Sequence, residues 1–275
     1  MHREPPYLNN PAPGWKYDLP APGDTPEMGL TLLGTEHPIN HLDALYLEIP
    51  RNTLWIRGVL AWIGLAGVLA VGIGIWIIRS FIFGAPDIPA AMMFFLYLTK
   101  AGLIWMCVVL IRLDLFLPRD EPIRFNRARR KVYIYHFRYN WRRPLSKTEW
   151  RVEVSVHDWD DLWLEACEVY GSLEYGGTMQ GVQLSIQRDR TSDKRYNEIF
   201  THSIRTGEAY WAMIRLFMQQ GQHALPKLKN PPRPEEDEEH FFNIFWDCAP
   251  KVNWPEDVDI ESRSAPDHEH QSEQN

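Results

Sequence analysis

Residues 58–78 read GVLAWIGLAGVLAVGIGIWII, and this stretch, which contains no charged side chain, decides the fold. A helix rises about 1.5 Å per residue, so the stretch spans about 31 Å, close to the thickness of the hydrocarbon core of a membrane. A second apolar stretch, residues 88–111, carries one charge at Lys100. A charge near the bilayer centre costs roughly 2.5–3.5 kcal/mol, which the other apolar residues offset. The sequence therefore predicts a transmembrane helical hairpin within residues 51–117, with helices at 58–78 and 88–111.

The Lys and Arg residues beside the two stretches indicate the orientation of the hairpin. Arg51 and Arg57 precede the first helix, Arg79 lies in the connector, and seven Lys or Arg residues follow the second helix between positions 112 and 131. Cationic flanks stay on the cytoplasmic side of a membrane. We therefore expect a multi-pass protein of the bacterial inner membrane with both termini in the cytoplasm.

Small residues recur at every fourth position of the first helix, at Ala66, Ala70 and Gly74. Such a face lets another helix backbone approach closely. Packing of the second helix on this face is favoured because the short connector makes the two helices antiparallel neighbours. The alternative is a homo-oligomer that packs through the same three residues. Lys100 has no acidic partner in the first helix, so carbonyl groups, water or a partner protein are its expected contacts.

The segment before the hairpin, residues 1–50, is rich in proline. Proline interrupts both helices and the hydrogen bonds of a sheet. We therefore expect an irregular N-terminal arm, in which residues 42–49 form a strand or a contact beside the membrane.

Residues 118–228 have the alternating pattern of a β-rich domain. Residues 123–137 place a polar turn between two runs of β-branched and aromatic residues, which predicts a β-hairpin. Apolar residues at helical spacing predict a helix over residues 208–220, with Thr206 as its N-cap and Gly221 as its end. Between them, strands are predicted at residues 150–156, 162–170, 181–187 and 196–203. This order predicts an α+β membrane protein with a pleckstrin-homology-like cytoplasmic domain capped by a C-terminal helix.

The last segment, residues 229–275, is acidic. From Pro231 onward there are 13 Asp or Glu residues against 3 Lys or Arg residues. Charge repulsion and proline predict a largely disordered tail, which residues 240–248 interrupt with aromatic side chains that need a contact. The residues expected to bind a protein partner are the acidic run and two of these aromatic residues: Glu235, Glu236, Asp237, Glu238, Glu239, Phe242 and Trp246.

No signature of a catalytic, cofactor or metal site stands out in the sequence. Residues 157–161, HDWDD, are interpreted as a polar turn of a hairpin, flanked by Trp159 and Trp163 that pack inward. His37 and His41 have a spacing that suits a metal ion, but a proline-rich arm does not hold them on one helical face. The three cysteines have no paired spacing, so reduced thiols are expected. We therefore expect a protein that is not an enzyme and takes no cofactor or metal.

The stretch 119–151 carries 11 Lys or Arg residues against three acidic residues. One interpretation is that it neutralises the phosphates of a nucleic acid. Anionic lipid is favoured, because the stretch begins at a membrane exit and each basic residue near the surface contributes about 1 kcal/mol. No specific nucleic acid is expected. The side chains expected to face the lipid are Arg127, Arg129, Arg130 and Lys131.

Several short segments carry a resemblance to a known family. They are Gly14-Trp15, Asp18-Leu19-Pro20, PIRFN at residues 122–126, RKVY at 130–133 and WDDL at 159–162. With the hairpin, they resemble an uncharacterised bacterial family with two transmembrane helices. Its members are often encoded beside type VI secretion effectors, and some are thought to be their immunity proteins. The resemblance covers about residues 14–225.

This resemblance implies a protein that works by binding, and no catalytic residues are carried over from the family. It implies an inner-membrane immunity protein that neutralises a cognate type VI effector by direct binding. A nuclease is an attractive effector, because its basic cleft would suit the acidic run in the tail. The alternative is a membrane-anchored adaptor of a secretion or envelope complex. A small transporter is disfavoured, because two helices with one Lys make little pore.

Overall fold

The computed structural model describes residues 6–51, 57–84, 89–170, 178–186, 196–234 and 244–266. Within them lie strands β1 (Trp15–Asp18), β2 (His41–Leu42), β3 (Tyr46–Ile49), β4 (Ile123–Asn126), β5 (Lys131–Arg138), β6 (Arg151–Asp158), β7 (Leu162–Tyr170), β8 (Thr178–Ile186) and β9 (Tyr196–Thr201). The α-helices are α1 (Met28–Gly34), α2 (Val59–Gly84), α3 (Ala90–Phe116), α4 (Ile204–Gln220), α5 (Ile244–Cys248) and α6 (Glu256–Arg263). The chain is therefore an α+β protein with two long apolar helices.

The strands form two antiparallel sheets, in the orders β1-β7-β8-β9 and β2-β3-β4-β5-β6. Both sheets share a core with α4, to which the helix contributes Trp211, Ile214 and Phe217. Helix α1 packs on the other side of α4, where a Cβ at Gly34 would lie 2.6 Å from the carbonyl oxygen of Ala209. Only glycine therefore permits this close approach of the two helices.

The strands predicted after the hairpin are confirmed as β4 to β9, within a few residues at each end. The connection between β6 and β7 differs from the expectation. A 3₁₀ turn, Trp159–Asp161, carries the chain from one sheet to the other, so it does not close a hairpin. Trp159 is buried in the core as predicted, whereas Trp163 is half-buried and stacks on Tyr7 with ring centroids 3.5 Å apart.

Helix α4 confirms the predicted helix, but it begins earlier. Its N-cap is Ser203 and not Thr206, because the Ser203 side chain accepts a hydrogen bond from the backbone N–H of Thr206 at 3.4 Å. The helix ends where predicted, at Gly221, whose φ of 90° is a conformation that glycine adopts without strain.

The expectation of an irregular N-terminal arm is wrong for much of residues 6–51. Strand β1 pairs with β7, and β3 pairs with β4 and carries β2 at the sheet edge. The prolines lie between these elements, so they interrupt no ladder, and the Pro20 carbonyl accepts a hydrogen bond from Nε1 of Trp211 at 2.8 Å. Apolar residues of the arm, Leu19, Ile39, Leu47 and Ile49, are part of the core. The arm is therefore part of the folded domain.

Helices α2 and α3 are long and apolar enough to cross a membrane. In the most apolar stretch of each helix only 17% and 11% of the residues are buried, so the helices do not form the core of the domain. Their exposed side chains include Leu69 at 68% and Phe95 at 65%. A soluble surface rarely exposes apolar area of this extent without a partner or a membrane.

The face on which α2 packs against α3 differs from the expected one. A Cβ at Gly64 would lie 2.6 Å from Ile111, and one at Gly67 would lie 2.5 Å from Sγ of Cys107. Ala66 and Ala70 are exposed instead, so packing of α3 on their face is wrong. Their role in a homo-oligomer stays a prediction.

Gly74 lies on the side of α2 that faces α3, where it meets Lys100. A Cβ at Gly74 would lie 2.6 Å from Nζ of Lys100, so the lysine side chain runs over the glycine backbone. The backbone of α2 at Gly74 is therefore a neighbour of the ammonium group, and the contacts expected for Lys100 from the sequence stay predictions.

The C-terminal segment also differs from the expectation of a largely disordered tail. Residues 244–266 form α5 and α6, and Trp246 and Trp254 are buried against the rest of the protein. Helix α6 lies on the outer face of the five-stranded sheet, where Lys131 pairs with Glu261 at 3.0 Å. Glu261 and Asp259 of this segment therefore pack on the sheet because its basic side chains, Lys131 and Arg124, pair with them.

Candidate functional site

A cleft of about 330 Å³ lies between the edge of the five-stranded sheet and the C-terminal segment. Strands β2, β3 and β4 form one wall, and Trp254 and Pro232 lie on the other. Its lining is mostly polar or charged, which suits a polar ligand or a peptide and not a lipid chain.

Arg124 on β4 is the charged centre of this cleft. Its side chain is 2% exposed and pairs with Glu48 at 2.7 Å and with Asp259 at 2.9 Å. The guanidinium lies over the rings of Trp254, at 4.3 Å, and Tyr46, at 5.0 Å. All of these contacts are internal, so Arg124 holds α6 on the sheet and does not present a vacant charge to a ligand.

The rim of the cleft carries a histidine and carboxylate pair. His41 Nε2 lies 2.9 Å from Asp43, and its ring stacks on Tyr46 with centroids 4.3 Å apart. Burial raises the pKa of Asp43, but hydrogen bonds from the backbone of Tyr46, from His41 and from the backbone of Leu45 outweigh it, so the pKa lies below its usual range. Asp43 therefore accepts hydrogen bonds as a carboxylate and orients the imidazole ring.

The histidines of the arm do not come together on a metal. His37 lies instead against Tyr210, with ring centroids 5.4 Å apart, while His41 contacts Asp43. In the part of the chain that the structure describes, no group of three His, Cys, Asp or Glu side chains is placed to hold a metal ion.

A second cluster surrounds Arg51, at the point where the chain leaves β3 for α2. The Arg51 guanidinium donates to the Tyr135 carbonyl at 2.9 Å and to Glu198 at 3.2 Å. Because Tyr135 lies on β5 and Glu198 on β9, this side chain joins the two sheets. Asp120 accepts a hydrogen bond from the backbone N–H of Arg51 at 2.9 Å, so the two chain segments that flank the hairpin are held side by side.

His136 is a buried neighbour of Arg51. Arg51 donates to Nδ1 of His136 at 3.2 Å, which places the ring proton on Nε2, 3.3 Å from the Ser155 hydroxyl. Burial, and then the charge of Arg51, lower the pKa of His136 to about 3. The imidazole is therefore neutral near pH 7, although the carboxylate of Glu198 lies 3.5 Å away.

The base of the hairpin is joined to the domain through buried polar contacts. The guanidinium of Arg57 donates to the carbonyl oxygens of Leu117, at 2.8 Å, and Pro118. Asp114 is fully buried on α3 and accepts a hydrogen bond from the backbone N–H of Ala61 at 2.7 Å. This carboxylate satisfies one of the amide groups that the first turn of α2 leaves without an intrahelical partner.

Helix α5 lies against this base of the hairpin. Trp246, expected from the sequence to bind a partner, is 6% exposed. The guanidinium carbons of Arg57 and Arg119 lie 5.7 Å and 5.8 Å from the centroid of its ring. Phe245 meets Trp62 of α2 edge to face, with ring centroids 5.5 Å apart. Trp246 therefore stabilises the junction and is not available to a partner.

The other residues expected to bind a partner lie outside the described residues. They are Glu235, Glu236, Asp237, Glu238, Glu239 and Phe242. Their role stays a prediction.

The basic residues expected to face lipid lie on and beside the turn between β4 and β5. The Arg129 side chain donates to the Ser264 carbonyl at 3.0 Å, and Lys131 pairs with Glu261. Arg130 pairs with Asp160 at 2.6 Å, while Arg127 lies beside Gly221. Arg129 and Lys131 therefore hold the C-terminal segment, and the contact of the four basic residues with lipid stays a prediction.

Sequence reasoning missed the structural role of three buried charged groups, which are Arg51, Asp114 and Arg124. The signal for Asp114 was present, because a lone acidic residue ends an otherwise apolar stretch. The other two belong to ordinary strand and linker sequences. Their importance depends on partners 76 and 147 positions away along the chain, Glu48 for Arg124 and Glu198 for Arg51.

Comparison with known proteins identifies the family of this chain. No curated protein and no solved structure matches it. The family match begins inside α3 and continues through the β-rich domain to the end of α6, so it includes the C-terminal segment that packs on the sheet. With residues 101–266 matched, which is more than half of its length, the chain belongs to the family described as Family of unknown function (DUF6708).

Proposed function

We propose that this chain is a non-enzymatic, membrane-anchored binding protein of the bacterial inner membrane. The observation that carries the proposal is the contrast between two exposed apolar helices and a domain that closes its own core. Such helices need a covering, and lipid supplies it without a partner protein. The hairpin is then the anchor, and the two sheets with α4 are the part that meets a partner.

The orientation proposed for the anchor has both termini and the β-rich domain in the cytoplasm. The basic flanks support it, since Arg51 and Arg57 precede α2 and Arg112 and Arg119 lie at the end of α3 or beyond it. The contacts of Arg57 and Asp114 join the start of α2 to the end of α3. They therefore support the placement of these two helix ends on the same side of the membrane.

The proposed layout of the domain is pleckstrin-homology-like. It is supported by two antiparallel sheets that a C-terminal helix, α4, closes against the shared core. The arm adds β1 to one sheet and β2 and β3 to the other. Domains with this layout bind many kinds of partner, so the layout alone does not identify the partner.

The proposed partner is a cognate type VI secretion effector, which this chain neutralises by direct binding as an immunity protein. The family resemblance of the short sequence segments supports this choice. The acidic run from Glu235 to Glu239 supports a basic effector such as a nuclease, because opposite charge speeds encounter. Phe242 is the aromatic residue beside this run that is proposed to hold the partner.

The anchor and its orientation are tested by reporter fusions. A fusion at Pro86, in the connector, is expected to report the periplasm, and a fusion at the C-terminus is expected to report the cytoplasm. A periplasmic signal at the C-terminus would reverse the proposed orientation. A cytoplasmic signal from both fusions, with the protein in the soluble fraction, would refute the anchor.

The immunity function is tested by survival of cells that express the adjacent toxin gene with or without this chain. A chain in which residues 235–239 are replaced by Gln and Asn and Phe242 by Ala is expected to protect less than the wild type. The control neutralises the three acidic residues after position 266, which are Asp267, Glu269 and Glu273. Full protection by the first variant would remove the tail from the interface. The absence of a toxin gene, with secretion genes alone nearby, would favour the adaptor.

A further inference from the structure

The loop between β5 and β6, residues 139–148, has a defined shape held by its own hydrogen bonds. The Asn140 side chain accepts from the backbone N–H of Arg142 at 2.9 Å, and the backbone N–H of Ser146 donates to the Arg143 carbonyl at 3.1 Å. At the base, Nε1 of Trp150 donates to the carbonyl oxygen of Asn140 at 3.2 Å. The loop therefore presents its outer side chains in a fixed arrangement.

Three large side chains of this loop point away from the protein. Tyr139 is 50% exposed, Trp141 is 52% exposed and Leu145 is 72% exposed. Three exposed side chains of this size within seven residues of one ordered loop indicate an interaction surface. Trp and Tyr are the residues enriched where a membrane meets water, because one end of each ring is apolar and the other is polar.

The loop lies beside the base of the hairpin. The Arg112 guanidinium, in the last turns of α3, lies 4.8 Å from the Trp150 ring and 4.4 Å from the Phe116 ring. Tyr139 also contacts Trp150, with ring centroids 5.6 Å apart. The same level of the hairpin carries Trp62, which α5 meets through Phe245. The loop is therefore continuous with the apolar surface of α2 and α3.

The charge of the loop suits an anionic surface. Arg143 pairs with Glu149 at 2.7 Å, whereas Arg142 lies 5.3 Å from the Trp141 ring. Among the described residues, neither Arg142 nor Lys147 has an acidic side chain within ion-pair distance. These two cations lie in the same loop as the exposed apolar side chains, an arrangement in which rings enter the interface while ammonium and guanidinium groups meet lipid phosphates.

We propose that residues 139–148 form a lipid-contact loop that docks on the anionic headgroups of the bilayer holding α2 and α3. This inference rests on the proposed membrane anchor. It places the lipid-facing charge on Arg142 and Lys147, at one end of β5, and not on the turn at residues 127–130, at its other end. The loop fixes the domain against the membrane, so that the rest of the domain surface is turned toward the cytoplasm.

The test uses the full chain in vesicles, labelled with an environment-sensitive fluorophore on a single cysteine. Cys248 is exposed and is replaced by Ser, while Cys107 and Cys167 are buried. The probe site is Leu145→Cys. The matched control is Asp160→Cys, an exposed site at the opposite end of β6, and Leu69→Cys on α2 reports insertion of the anchor.

The vesicles contain phosphatidylcholine alone or with phosphatidylglycerol, and each preparation carries lipid-bound quenchers. Quenching is expected at Leu145 and not at Asp160, and it is expected to be stronger with phosphatidylglycerol. Replacing Arg142 and Lys147 by Gln is expected to lower the ratio of docked to undocked loops about fivefold for each residue. The same change at Arg127 and Arg130 is expected to have no effect.

The possible results distinguish a failure of the lipid-contact loop from a failure of the membrane anchor. Quenching at Leu69 without quenching at Leu145 would overturn the lipid-contact loop and leave the anchor standing. Equal quenching at Leu145 in both kinds of vesicle would overturn the preference for anionic headgroups. No quenching at Leu69 would refute the anchor and, with it, the loop inference.

Discussion

The carboxylate of Asp114, near the end of α3, accepts a hydrogen bond from the backbone N–H of Ala61, in the first turn of α2, at 2.7 Å. A side chain of one apolar helix thereby caps the other at the end where both meet the domain. In the described part of the chain no hydrogen bond reaches the second carboxylate oxygen, Oδ1. The cap is therefore a buried polar contact between two apolar helices, and its loss is expected to destabilise the base of the hairpin.

Replacing Asp114 by Ala is expected to destabilise the chain by about 1–3 kcal/mol, because the N–H of Ala61 loses its acceptor in a buried position. Asp114→Asn keeps a carbonyl oxygen and should lose less. Thermal unfolding in detergent micelles measures both changes. Asp160→Ala is the control, since that carboxylate is 67% exposed. Melting of Asp114→Ala at the wild-type temperature would show that the cap contributes nothing.

Replacing Arg124 by Met is expected to destabilise the protein by about 3–5 kcal/mol, because Glu48 would be left buried without its partner. The C-terminal segment should also become sensitive to protease after Pro250, since Asp259 on α6 loses the same guanidinium. Urea unfolding and limited proteolysis measure the two effects. Arg130→Ala, which removes an exposed ion pair, should cost less than about 1 kcal/mol. Similar losses for the two variants would contradict the role of Arg124.

The double variant Arg124→Met with Glu48→Leu separates lost pairing from lost packing. It leaves no carboxylate of the sheet unpaired at this position, so it should recover most of the stability that Arg124→Met loses. If the double variant is no more stable than the single one, the stacking of Arg124 on Trp254 and Tyr46 is the larger contribution.

The free energy of unfolding of the domain is expected to decrease as the pH is lowered, because of the titration of His136. The unfolded chain takes up a proton on this residue near pH 6.5. The folded chain does so at a pKa of about 3, because burial and Arg51 disfavour the charged ring. Between these values only the unfolded chain is protonated, so the free energy of unfolding drops by about 1.4 kcal/mol per pH unit as pH decreases.

Urea unfolding of the wild type and of His136→Gln, from pH 7 to pH 4.5, measures this dependence. Glu198, Glu121 and Arg138 face the same region and stay in both proteins, so the comparison isolates the imidazole. The wild type should lose more stability than the variant over this range. Parallel curves would refute the assignment.

A fragment of residues 121–228, which contains the strands and the helix predicted after the hairpin, is expected not to reach the native state. It lacks β1, β2 and β3, and with them Leu19, Ile39, Leu47 and Ile49 of the core. A chain in which a short Gly and Ser linker replaces residues 52–118 keeps these strands. It is expected to fold, because Arg51 and Asp120 are already hydrogen-bonded neighbours. Circular dichroism and near-ultraviolet spectra of the two chains, side by side, decide the point.

The sequence by itself determined the two apolar helices, the six strands that follow them, and α4. These features depend on local patterns: apolar runs of membrane length with at most one charge, alternation of apolar residues along a strand, and helical spacing that ends at Gly221. Each pattern lies within one segment, so no knowledge of distant residues was needed.

The tertiary structure alone decided the rest, because the remaining elements are defined by pairing over long sequence distances. Strands β1 and β3 of the arm pair with β7 and β4, which lie far away in sequence. Helix α6 packs on the sheet through ion pairs with Arg124 and Lys131, which are also distant in sequence. The face of α2 that meets α3 was decided by side-chain size on both helices, which a small-residue repeat on one helix does not reveal. Trp246, expected from the sequence to bind a partner, is buried for the same reason, since Arg57 and Arg119, which lie over its ring, are more than a hundred residues away in sequence.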